Sequence, residues 1–270
     1  MEIQWSLVLF TALSGAGAWL VACAGLDAFK GLAKKAVVPA VIAGIALIVV
    51  GGIASATHLS HVDRIMAVLA HPAPGIFLEA LLLGIDVVVA AVFLVLYKRN
   101  ASEGVLKGLG IAAVVMAAVF SYACGSSYMM SSQLAWNTIA LPLGYLGTAL
   151  AAGTALWYLL CAAFKEEAAA LSFAATETLI GAVAALVTSL AYGFMAGVAG
   201  GDSAILFWVG VIACGGVVPL ACGIFGMKKT DGALPLAVVA VVGAFIGSVA
   251  YRVLMWIASI ALMSLFGVGI

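Results

Sequence analysis

Residues 36–56 read AVVPAVIAGIALIVVGGIASA, twenty-one positions without one charged side chain. At about 1.5 Å per residue, a helix of that length spans roughly 30 Å, the thickness of a bilayer's hydrocarbon core. It has no polar face to offer water, so it reads as a helix that faces lipid. Seven further runs meet the same length criterion, at residues 6–26, 75–97, 108–127, 138–163, 171–197, 203–226 and 234–264. Composition agrees: 66% of the 270 residues are hydrophobic and 8% are charged, against about 25% charged in soluble domains. The expected fold is all-α, a single transmembrane domain over residues 1–270 with eight membrane-crossing helices.

Eleven basic residues balance eleven acidic ones. No basic stripe exists to track phosphates, so nucleic acid is not an expected partner. The five cysteines lie in apolar runs and none forms a CxxC, so no iron–sulfur cluster or zinc is expected in this chain. Leu20-Val21-Ala22-Cys23 resembles a lipoprotein cleavage box, but no Lys or Arg precedes Lys30. A secretory signal opens with a basic region, so the first helix is expected to be retained. No internal repeat is apparent.

Nine of the eleven basic residues fall in odd-numbered connections: Lys30, Lys34, Lys35, Lys98, Arg99, Lys107, Lys165, Lys228 and Lys229. Basic connections stay in the cytoplasm, so both termini are expected on the outer side. The longest connection, Thr57 to Pro74, is then external and holds all three histidines, His58, His61 and His71. Haem held between histidines on two helices is therefore not expected, because no second helical ligand exists.

Ionisable side chains inside a bilayer cost roughly 2.5–3.5 kcal/mol each on insertion scales, so each asks for a reason. Four lie within the expected helices: Glu79, Asp86, Glu177 and Arg252. Glu79 and Arg252 come out near the outer face, at the level of His58, and a pocket is expected between the second and third helices. An imidazole and a half-buried carboxyl at one level suit a quinol, whose two hydroxyls need hydrogen bonds and whose two protons need acceptors. Asp86 is expected to hydrogen-bond across helices, and Glu177 to be structural.

Tyr128-Met129, Leu134-Ala135-Trp136-Asn137-Thr138 and Pro142-Leu143-Gly144 resemble the connection into the fifth helix of the dimethyl sulfoxide reductase membrane anchor family (DmsC-like). His58-Leu59 with Arg64, Glu79 early in the third helix and Arg252 in the last resemble further family positions. Ser60, Phe77-Leu78, Ser126 and Ser248 depart from the family's usual residues. The resemblance implies a haem-free anchor in the bacterial cytoplasmic membrane that binds menaquinol through His58, Glu79, Arg64 and Arg252. It further implies two partners, an iron–sulfur subunit that takes the electrons and a molybdopterin catalytic subunit beyond it. The alternative from another class is a small-solute or proton-coupled transporter, with Glu79, Asp86 and Glu177 as its path.

The charge bias predicts that a C-terminal reporter active only in the cytoplasm is silent, while one active only outside gives signal; strong cytoplasmic activity reverses the orientation.

Overall fold

The computed structural model describes residues 2–57 and 74–259. Its eight long apolar helices can each cross a membrane. They are α1 (Trp5–Leu26), α2 (Val37–Ala56), α3 (Pro74–Lys98), α4 (Glu103–Ser126), α5 (Ala140–Ala163), α6 (Ala168–Met195), α7 (Gly201–Lys228) and α8 (Ala233–Ile257). The end at which α1 begins is called the upper face, and the opposite end the lower face. Lys30, Lys34, Lys35, Lys98, Arg99 and Lys165 all belong to lower-face connections or helix ends.

Helix ends follow local hydrogen bonding, which hydropathy does not see. α4 starts at Glu103, five residues before the expected position, because Glu103 pairs with Lys107 across its first turn at 2.8 Å. α6 stops at Met195, and Gly197 takes a left-handed φ of 72°. α8 closes at Ile257, seven residues short of the expected 264, and the Ser259 hydroxyl turns back to the Trp256 carbonyl at 2.8 Å. α7 is wound as a π-helix over Leu206–Val217 and tightens to α from Val218, next to Pro219.

The helices form two rings of four. In the first, α1 packs on α2, α2 on α3, α3 on α4 and α4 back on α1; α5 to α8 repeat that circuit. Each ring starts at the upper face, so the halves share one topology that no sequence repeat announces. The rings join where α1 meets α5, flanked by α4 and α8. α1 is consequently the most enclosed helix, whereas α3 is among those most open to lipid.

Small residues set the helix spacing, since lipid supplies no hydrophobic drive for association and close backbone approach must supply dispersion instead. A Cβ on Gly110 of α4 would fall on the Gly25 carbonyl of α1, and one on Gly247 of α8 would fall on the Gly215 backbone of α7. At the lower face, Glu166 accepts the backbone N–H groups of Lys35 and Ala36, closing the N-terminus of α2 from the other ring. Lys35 Nζ returns a bond to the Lys165 carbonyl at 2.9 Å. Asp27 accepts the Ala33 N–H with both oxygens at 3.1 Å, fixing the first connection.

Gly110→Leu and Gly247→Leu should each cost about 1–3 kcal/mol or more by overpacking and lower the melting temperature of the detergent-extracted protein. Gly84→Leu, whose Cβ meets nothing within 4 Å, should leave that temperature unchanged; equal loss in all three discounts the close crossings.

Candidate functional site

Arg252 is only 1% exposed, and a guanidinium so buried needs acceptors for a fork of N–H groups. Thr11 on α1 and Thr148 on α5 point their hydroxyls at it from the facing helices. Nε donates to Thr11 Oγ1 at 2.7 Å and Nη2 to the Thr11 carbonyl at 3.1 Å. Nη1 donates to Ser248 Oγ and the Ser248 carbonyl, both at 2.8 Å, and to Thr148 Oγ1 at 3.2 Å. Both threonines spend their own protons on carbonyls one turn back in their helices, leaving lone pairs for the cation. The guanidinium also stands 4.6 Å from the centre of the Tyr145 ring. Among the described residues no carboxylate neutralises it.

An aromatic cluster closes the upper face above that cation. Tyr128, in the connection from α4 to α5, has its ring 5.9 Å from Trp136, 5.8 Å from Trp256 and 5.9 Å from Tyr145. Trp136 lies edge-on to Trp256 at 5.2 Å and donates its indole N–H to the Met255 carbonyl at 2.9 Å. Tyr251 donates to the Leu141 carbonyl at 3.0 Å, and Gly144 makes room for it, since a Cβ there would fall on the Tyr251 hydroxyl. A Cβ on Gly125 would likewise meet Pro142. The Trp136, Pro142 and Gly144 motif is thus the fitting that seats α5 against α4 and α8. Burial, with Tyr145 and Glu79 adding to it, pushes the Tyr128 phenol well above the ordinary tyrosine range, so Tyr128 stays a hydrogen-bond donor.

Glu79 lies near the upper end of α3, partly buried, with the Ser127 side chain against its carboxyl. Glu79, Asp86 and Arg252 all act electrostatically on Cys124 of α4, and Glu79 and Arg252 also act on Tyr128. The structure therefore brings Glu79 and Arg252 into one neighbourhood. His58 and Arg64 lie outside the described residues, as do His61 and His71. The expected pocket between the second and third helices rests on His58; the Glu79 side chain itself meets the end of α4.

Beside it, an apolar groove of about 420 Å³ opens to the lipid side between α3 and α4. Leu78 and Leu82 form one wall, Val119, Tyr122 and Ser126 the other, and Leu146 of α5 the floor. Asp86 is 5% exposed, and its Oδ2 has no hydrogen-bond partner among the described residues. The expected cross-helix bond of Asp86 is absent there too. Glu177 lies towards the lower face among Asp27, Cys23 and Cys161, and neither carboxyl oxygen has a partner among the described residues. Nor could any group of three or more described His, Cys, Asp or Glu side chains hold a metal ion.

Composition alone did not single out Thr11, Thr148, Ser127 or Tyr145. Hydroxyls are common in apolar helices, and nothing along the chain says that these face a cation or an acid.

The comparison with curated proteins gives no match. The family model described as DMSO reductase anchor subunit (DmsC) matches residues 1–200. That is well over half of this multi-pass membrane protein, and the chain belongs to the DMSO reductase anchor subunit (DmsC) family.

Proposed function

We propose that the upper end of α3 binds menaquinol and that the chain anchors a respiratory molybdopterin oxidoreductase to the membrane. The observation that carries this reading is Glu79: a half-buried carboxyl, beside the Ser127 side chain, at the margin of an apolar groove open to lipid. A quinol needs a polar contact for each hydroxyl and an apolar passage for its chain. Glu79 accepts a hydroxyl proton as the quinol is oxidised. Ser127 stands beside the carboxyl, its own hydroxyl donating to the Ala123 carbonyl at 3.0 Å. Arg252 stands behind the site with a permanent positive charge that acts on Tyr128 and Cys124. His58 and Arg64 complete the set from the 57–74 connection. The electrons pass to an iron–sulfur subunit on the outer side, and from it to a molybdopterin subunit that reduces the terminal acceptor.

The transporter reading needs one acidic path. Glu79 and Asp86 share α3 and the Cys124 neighbourhood, whereas Glu177 keeps company with Asp27 and Cys161. Two separate groups favour the quinol reading.

Glu79→Gln keeps shape and hydrogen-bonding capacity but removes the proton acceptor. In the assembled complex it should lower quinol-driven turnover by about 10²-fold or more, with turnover driven by a reduced dye at the catalytic subunit unchanged. Glu177→Gln should leave both activities near wild type. Full quinol oxidation by assembled Glu79→Gln overturns the site.

A further inference from the structure

Asp86 is a buried acid on the site's own helix face that the reading above leaves unused. Positions 78, 82, 86 and 79 fall on one arc of α3 about 100° wide, at 100° per residue. Leu78 and Leu82 form the groove wall, and Asp86 and Glu79 follow them round the helix on the same arc. Both carboxyls act electrostatically on Cys124 of α4. Its Oδ2 is buried with no hydrogen-bond partner among the described residues, and leaving a polar atom unpaired in that setting costs stability.

Resting on the quinol reading of Glu79, we propose that Asp86 is a second substrate-contacting residue. The quinol ring then lies along α3, one hydroxyl on Glu79 and the other on Asp86, which takes the second proton in place of His58. The spacing suits this. Seven residues rise about 10.5 Å, and two hydrogen bonds of about 2.7 Å each leave about 5 Å, close to the gap between para oxygens on a six-membered ring. The substituents of such a ring leave its flank, obliquely to the line through the oxygens. With that line along α3, the isoprenoid chain runs sideways into the apolar groove and out to lipid. On oxidation both O–H bonds break, one proton passing to Glu79 and one to Asp86. The two electrons go to the iron–sulfur partner, and the ring leaves as quinone. Each acid releases its proton before the next turnover.

The assembled complex tests this with a naphthoquinol as donor and a reduced dye as control. Asp86→Asn keeps an acceptor for the hydroxyl but cannot take its proton. It should lower quinol-driven kcat at least about tenfold, with a smaller change in KM and dye-driven turnover unchanged. If Glu79→Gln loses quinol turnover while Asp86→Asn keeps wild-type kcat and KM, this inference falls and the quinol site stands. If Glu79→Gln keeps quinol turnover, both fall. A second measurement needs no variant: displacement of a fluorescent quinol-site ligand from the reduced wild-type complex by the naphthoquinol or by its monomethyl ether. Two-point attachment predicts that the ether displaces about tenfold more weakly, in whichever orientation it binds. Equal displacement overturns the inference, including where Asp86→Asn fails to assemble.

Discussion

The guanidinium of Arg252 sits where α1, α5 and α8 meet, and it fastens the two rings of helices to one another. Its donors go to Thr11, Thr148 and Ser248, so its hydrogen bonds reach both halves of the protein. An uncompensated cation in a bilayer is costly, and here the compensation comes from five hydroxyl and carbonyl acceptors and the face of Tyr145. Because those groups are neutral, the charge is solvated without being cancelled. It remains as a fixed field behind Tyr128, Cys124 and the end of α3.

That arrangement sorts the polar groups of the membrane interior into two kinds. Asp27 and Glu166 take backbone N–H groups at the lower face, where the connections turn, and they brace the scaffold. Asp86 and Glu177 keep oxygens without partners among the described residues, and Glu79 has a single hydroxyl against it. In a solvent that offers no hydrogen bonds, a fold gains nothing from leaving acceptors unpaired. Groups left so are the places to look for a ligand or a proton. Of these, Glu79 and Asp86 adjoin a groove open to lipid, and they carry the functional account.

The helix breaks were legible in the sequence because run length and charge are properties of the chain itself. Arg99-Asn100, straight after the last residue of α3, and Lys165-Glu166-Glu167 both turned out to be connections. Asn100 and Lys165 even take the left-handed φ, 53° in each, that ends a helix. The level of Glu79 and Arg252 could be counted from the helix ends. What faces what could not: hydropathy is uniform around these helices, so no periodicity says that α1 contacts α5 or that Glu79 looks towards α4. The two matching rings were hidden for the same reason, since small and aliphatic residues serve either half equally well. The Trp136 and Pro142-Leu143-Gly144 motif gave the family, but only packing showed that it seats Tyr251 and α5.

The proposed quinol lies in the groove between α3 and α4 at the upper face. A photoreactive naphthoquinone, activated on the assembled complex and followed by peptide mapping, tests it most directly. The account predicts adducts within Leu78–Asp86 of α3 and Tyr122–Ser126 of α4, suppressed by excess quinol. Adducts centred on α6 and α7, or labelling of α3 and α4 that excess quinol does not suppress, would contradict it.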